Sequence, residues 1–242
     1  MSLVGLDFDS TRVRGVGGVR AHAPTRLLLD GPQAEFPLAL SLEGKAIAAG
    51  KAGLALARSR PHQACLDFLP HLGSAQQWAG SRHKVGADEA FGHCCAALAR
   101  SISRCVGAVL CLPAYLDEVQ LYHAHRLADA SRLPVLGTIQ VPLAALVARA
   151  SADPMGPLPG LTLVVDCDGH ALTWSVVDGS TGRSGARLVR PSPHLGRGAW
   201  MRRLMDGAAG RFIRQSRRDP RESAAAEQSL YEQLLAVLEG GH

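Results

Sequence analysis

The sequence predicts a mixed α/β protein made of two successive units, and three observations carry that prediction. Short apolar runs alternate with stretches of helical period, as they do where helices pack on sheets. Residues 151–160 break the pattern once, because Pro and Gly punctuate the string and no period survives in it. On each side of that break a unit opens on the same theme, a hydrophobic strand with carboxylates at its end that enters a tight turn. The first is Gly5-Leu6-Asp7-Phe8-Asp9-Ser10-Thr11 and the second is Val164-Val165-Asp166-Cys167-Asp168-Gly169-His170. The first unit is taken as 4–160 and the second as 161–238. A length of 242 residues fits one large domain or two modest ones, enough to bury a core without disulfide or metal staples.

In chain order, residues 4–8 read as a strand, Asp9, Ser10 and Thr11 as a turn, and 13–19 as the return strand of a hairpin. Residues 26–29 and 36–41 read as short strands, 45–58 as an alanine-rich helix, and 61–73 as a connection. From 87 to 104, Phe91, Cys94, Cys95, Leu98 and Ile102 recur at helical spacing, with Asp88 and Glu89 at the positive end of that helix. Residues 106–112 form a buried strand closed by Pro113, 116–130 a helix, and 134–141 another strand. Pro142 opens a helix through residue 150, since proline suits the first helical position. Beyond the break, 161–166, 171–177 and 186–189 are strands, followed by helices over 199–214 and 221–238. The ends read as appended residues, a vector-like start at residues 1–3 and the stub of a tag at 239–242, and the chain reads as a piece of something longer.

Composition narrows the function classes. The chain is 47% hydrophobic with a net charge of only +5, which argues against disorder. No apolar run approaches the ~20 residues of a membrane helix, and no basic leader precedes the first strand, so a cytoplasmic protein is expected. Aromatic residues make up 5% of the chain, too few for stacking platforms. The arginine excess near the C-terminus (Arg197, Arg202, Arg203, Arg211, Arg214, Arg217, Arg218, Arg221) is interrupted by Asp206, Asp219 and Glu222. It reads as a solvated helix face, and nucleic acid is disfavoured as a partner. The six cysteines form no C-x-x-C pair and read as buried free thiols rather than a zinc site.

The paired turns carry the chemistry. Backbone N–H groups and hydroxyls in such turns suit phosphate oxygens, and a strand-end Asp suits a hydrated Mg²⁺, which makes Asp7 and Asp166 the candidate metal ligands. Asp9 and Asp168 at matching turn positions read as solvated turn acids. His170 reads as a surface turn residue, Tyr115 and Gln120 as packing and capping a helix start, and Trp174 and Trp200 as core.

Here the chain resembles the ATPase domain of the seventy-kilodalton heat-shock chaperones (the heat shock protein 70 family), within the actin and sugar-kinase superfamily. The first turn resembles that family's first phosphate loop, G-I-D-L-G-T-T. The stretch from Ala108 through Pro113-Ala114-Tyr115 to Gln120 is similar to A-V-I-T-V-P-A-Y-F-N-D-x-Q. Residues 128–145 follow A-G-L-x-V-L-R-I-I-N-E-P-T-A-A, and 163–178 resemble the second phosphate loop. His194-Leu195-Gly196 with Arg203-Leu204 resembles H-L-G-G-E-x-F-D-x-R-L. The resemblance implies an actin-like ATPase fold, a ribonuclease H-like mixed sheet flanked by helices, with a first lobe and the start of a second. It implies ATP or ADP with Mg as cofactor. The contacts it implies are Asp7, Asp9, Ser10, Thr11 and Arg12 in the first loop, Asp166, Asp168, Gly169 and His170 in the second, and Gly196 and Glu232 beyond. Co-chaperones and a client-binding region outside this chain are the implied partners.

The same resemblance exposes substitutions. A loop glycine is Asp9, which adds charge and bulk where a phosphate approaches closely. The catalytic Lys aligns near Leu69, the Glu of N-E-P-T aligns with Val141, and the Lys partner of Glu232 is Leu235. Losing these groups together removes most of what positions a phosphoryl group. The sequence therefore leaves two readings open: a nucleotide-binding chaperone-like domain with weak or absent ATP hydrolysis, or a silent scaffold for protein interaction. A sugar-kinase-like enzyme is a third, without a visible sugar site.

Overall fold

The computed structural model of the protein describes residues 2–18, 24–103, 105–152, 160–179, 185–238 and 240. Within these residues the protein is mixed α/β, with six α-helices and a mixed main sheet. The first unit begins with the hairpin β1 (Ser2–Phe8) and β2 (Arg12–Gly18), and β2 also pairs with the short strands β3 (Thr25–Arg26) and β4 (Glu35–Pro37). A subsidiary sheet joins β5 (Leu40–Ser41), β6 (Ala48–Ala49) and, after the single-turn helix α1 (Lys51–Leu54), β7 (Ala64–Cys65). A small hairpin, β8 (Gln77–Ala79) with β9 (Lys84–Gly86), leads into helix α2 (Ala87–Ser101). Strand β10 (Cys105–Leu112), helix α3 (Glu118–Ala130), strand β11 (Val135–Gln140) and helix α4 (Val141–Ala152) complete the unit.

The main sheet runs in the order β11-β10-β1-β2-β3, with β1, β10 and β11 mutually parallel and β2 antiparallel to β1. Strand alternation sends Val4, Leu6 and Phe8 of β1 and Ala108, Leu110 and Leu112 of β10 to one face. There they meet Phe91, Cys94, Cys95 and Leu98 of α2, which lie on one face of that helix, and the Phe8 and Phe91 rings pack 5.7 Å apart. The start of α3 is fixed by a capping box. Asp117 accepts from the Gln120 amide at 2.8 Å, Gln120 Oε1 accepts from the Asp117 amide at 3.2 Å, and the Gln120 amide group also donates to Pro70 and Leu72.

The second unit is the three-stranded meander β12 (Leu161–Cys167), β13 (Leu172–Asp178) and β14 (Gly185–Ser192), followed by helices α5 (Arg197–Ser216) and α6 (Ala224–Leu238). Helix α4 spans the two units, touching β10 and β11 on one side and all three strands of the meander on the other. Most of the break between the units, residues 153–159, lies outside the described residues, as do 1, 239, 241 and 242 of the two ends.

Several expectations need correction. The alanine-rich segment 45–58 is helical only over Lys51–Leu54. Ala48 and Ala49 pair with β5 instead, and Gly50 turns the chain at φ 88°. Gly53 lies so close to the Leu40 backbone that a Cβ would sit 2.5 Å from its amide nitrogen, so tertiary packing outweighs helix propensity. Ser2 and Leu3 are paired members of β1, so the strand begins ahead of residue 4. Trp174 and Trp200 are not core, being 42% and 48% exposed. The cysteines divide: Cys65, Cys94 and Cys95 are buried, Cys105 and Cys111 half-buried, and Cys167 is exposed.

Candidate functional site

The β1–β2 and β12–β13 hairpins bring their turns together at one point, and the two turns have the same internal construction. In the first, the Asp9 amide donates to the Arg12 carbonyl at 2.9 Å, and Asp9 Oδ1 accepts from the Thr11 and Arg12 amides at 2.6 and 2.9 Å. In the second, the Asp168 amide donates to the Ala171 carbonyl at 3.0 Å, and Asp168 Oδ1 accepts from the His170 and Ala171 amides at 2.8 and 2.9 Å. Each is an Asp-closed turn in which a carboxylate gathers the amides that follow it.

Asp168 also joins the units. Its Oδ2 accepts from the Ser10 amide at 2.9 Å and from the Tyr115 hydroxyl at 2.7 Å, and the residue is 2% exposed. Burial raises the Tyr115 pKa strongly, and the adjacent Asp168 charge adds to the rise, so the phenol stays protonated and donates. The His170 ring packs 4.9 Å from the Tyr115 ring. Neither turn acid is solvated in the way the sequence suggested. Tyr115 does more than pack a helix start.

The turns touch closely. A side chain on Gly169 would collide with Thr11 Cγ2 and come within 2.7 Å of Ser10 Oγ. Helix α5 starts on the second turn, with the Arg197 amide donating to the Asp168 carbonyl and the Gly198 amide to the Gly169 carbonyl, both at 2.8 Å. Gly196, its N-cap, is required there, since any Cβ would strike the His170 carbonyl. Arg197 then reaches across to the first turn, donating to Thr11 Oγ1 at 2.7 Å and pairing with Asp9 Oδ2 at 3.4 Å. Arg12 pairs with Asp9 at 3.2 Å and with Glu35 at 2.8 Å.

Asp7 and Asp166 stand on the strands just before these turns. Asp7 is open to solvent on one side, and partial desolvation and then the Asp9 charge raise its pKa; burial, Asp168 and Asp7 raise that of the half-buried Asp166. The Cys111 thiol, beside Asp7, is pushed up to about 12 by burial and by that charge. Among the described residues, no group of three or more His, Cys, Asp or Glu side chains is arranged to hold a metal ion.

Beside the turns lies a cavity of about 690 Å³ between the two units. Arg12, Arg26, Arg58, Arg197 and Arg202 line it together with Glu35 and Asp67, over an apolar floor that includes Leu38, Met201 and Leu235. The Arg58 guanidinium sits 5.1 Å from the centre of the Tyr231 ring. Asp67, exposed at the cavity wall, adopts a left-handed φ of 55°, and partial desolvation there raises its pKa against the opposing pull of His170 and Arg202. Of the residues singled out from sequence, the structure gathers Asp7, Asp9, Ser10, Thr11, Arg12, Asp166, Asp168, Gly169, His170 and Gly196 in one place. Glu232 is on α6 and accepts from Gln228 Nε2 at 2.8 Å, while its neighbours Tyr231 and Leu235 line the cavity. Leu69 is fully buried in the first-unit core and faces no cleft. Arg197, Tyr115 and Asp67 were missed, because their partners are far away in sequence and no local spacing marks them. Comparison with known protein families and with curated proteins finds no match for this chain.

Proposed function

We propose that this chain is a degenerate actin-like module, of the kind seen in heat-shock chaperone ATPase domains, that has given up phosphate binding and serves as a scaffold for protein interaction. The strand order β11-β10-β1-β2-β3, with an antiparallel hairpin beside parallel strands, supports the actin-like reading, as does the second meander carrying an equivalent turn. One observation carries the loss of ligand. The amides that a phosphate loop would offer are already taken: Asp9 holds those of Thr11 and Arg12, and Asp168 holds those of Ser10, His170 and Ala171. The first amides of α5 are likewise spent on the carbonyls of Asp168 and Gly169.

A phosphate entering here would have to displace two carboxylates, and any carboxylate that stayed would repel it. The residues present do not fit a Mg-nucleotide. Arg197 deepens the mismatch. It stands at the second glycine of the H-L-G-G motif, and its side chain closes on Thr11 where that motif leaves space.

A second reading keeps a nucleotide, and the cavity beside the turns favours it. Five arginines and Tyr231 around about 690 Å³ offer room and charge for an anionic, ring-bearing ligand away from the turn amides. This is the chaperone-like domain without hydrolysis. Calorimetric titration with ADP and ATP, each with and without Mg²⁺, separates the two. The scaffold reading expects no heat at millimolar nucleotide from protein whose fold is confirmed by circular dichroism. Micromolar affinity, about −8 kcal/mol, would overturn it in favour of the nucleotide-binding domain.

A further inference from the structure

Helix α5 runs past its support. Its buried stripe is Met201, Met205 and Ala209, at 4%, 4% and 0% exposure. The next positions on that side, Phe212 and Ile213, are 49% and 38% exposed. The returning chain explains why: Arg221 pairs with Asp206 at 3.0 Å, so fifteen residues further on the backbone is back level with the middle of α5. The last six residues of the helix, 211–216, about 9 Å at 1.5 Å per residue, therefore project as a prong. Every residue from Arg211 to Arg218 is exposed.

The prong is cationic as well as apolar. It carries Arg211, Arg214, Arg217 and Arg218, and Arg217 ends the helix in a left-handed conformation at φ 59°. Two of the acids that interrupt the arginine run in sequence are committed elsewhere, because Asp219 and Asp206 are both held by Arg221. Glu222 is the only other acid between Gly207 and Ser223.

We propose that this prong is a docking surface for an acidic protein segment, one that offers carboxylates to the arginines and an apolar strip to Phe212 and Ile213. Charge complementarity selects an anionic partner. Guanidinium forks bind carboxylates bidentately, and arginine with aromatic residues is the composition of protein interfaces. Two apolar side chains are a small anchor for a lipid surface, which favours a broad amphipathic face. A nucleic-acid backbone gives Phe212 and Ile213 nothing to bury against. The proposal deepens the scaffold reading and rests on it, but its test is separable, since nucleotide binding at the turns would overturn that reading without touching α5.

The probes are a fluorescent helical peptide with Glu on one face and Leu on the other, the same peptide with Gln for Glu, vesicles containing phosphatidylserine, and a random-sequence DNA duplex. The wild-type chain should bind the Glu peptide saturably, about tenfold or more tighter than the Gln peptide, and weaken as salt rises from about 50 to about 500 mM. The double variant Arg211→Glu, Arg214→Glu and the single variant Phe212→Ser should each lose most of that binding while keeping the wild-type circular dichroism spectrum. Arg100→Glu, on the exposed end of α2, should bind as wild type. Absence of saturable Glu-peptide binding, or binding unchanged in the prong variants, overturns the proposal. So does tighter binding to the vesicles or the duplex than to the peptide.

Discussion

Removing the Asp168 carboxylate, as in Asp168→Ala, should destabilise the protein more than any other single change at the paired turns. The carboxylate accepts from four donors: the amides of Ser10, His170 and Ala171 and the Tyr115 hydroxyl. Ser10 and Ala171 are each 1% exposed, so water cannot replace the lost acceptor at either amide. The His170 amide is half-buried and open to solvent compensation. The Tyr115 hydroxyl can turn to Ser10 Oγ, which is buried, adjacent and, among the described residues, without another hydrogen-bond partner. Two stranded amides at about 1–3 kcal/mol each, plus part of the remainder, give a loss of about 3–5 kcal/mol. For a chain of this size that lowers Tm by roughly 6–20 °C.

Asp9→Ala provides the internal comparison. Asp9 gathers its own set of donors, but its side chain is 20% exposed and Arg12 keeps its pairing with Glu35, so about 1–2 kcal/mol is expected. Urea and thermal unfolding of wild type and both variants measure the difference. An Asp168→Ala variant within about 0.5 kcal/mol of wild type, or an Asp9→Ala variant that is the less stable of the two, would refute the role given to the Asp168 carboxylate.

Three further outcomes follow from the same geometry. Asp7 and Asp166 have pKa values raised by desolvation and by neighbouring carboxylates, so between the ordinary 3.8 and the raised values the folded state binds more protons than the unfolded one. Stability from these groups therefore falls as pH rises through that window, and the penalty is fully present above it. Asp166→Asn should raise Tm at neutral pH and gain less at acid pH, Asp7→Asn should do the same to a smaller extent because Asp7 is more open to solvent, and a lower neutral Tm for Asp166→Asn would contradict the assignment. Gly169→Ala should cost about 1–3 kcal/mol by forcing the turns apart, whereas Gly137→Ala, with nothing within 4 Å of its added methyl, should be near neutral in the same unfolding assay. Alkylation followed by mass spectrometry should modify exposed Cys167 before Cys65 and Cys111, whose pKa values are pushed up to about 12, and before buried Cys94 and Cys95.

The helices and strands were legible in the sequence wherever a local period repeats. The spacing of Phe91, Cys94, Cys95 and Leu98 marks α2, and alternation marks β1 and β10, because helix and strand geometry project directly onto residue order. The same logic failed at 45–58, where the close approach of Gly53 to Leu40 decides the backbone and alanine content does not. It also placed Trp174 of β13 and Trp200 of α5 in a core, since hydrophobicity says nothing of which sheet or helix face finds a cover.

The sequence by itself determined that two Asp-bearing turns open two units of a mixed α/β protein, and it picked most of the residues that meet between them. Only the tertiary structure decided what those residues do there. The bond from Ser10 to Asp168 spans 158 positions, and the contact from Arg197 to Thr11 spans 186. A turn's composition states which groups it carries but not whether its amides stay free. Here the folding of one unit onto the other, together with each Asp on its own turn, satisfies those amides within the protein, and no local pattern encodes that closure.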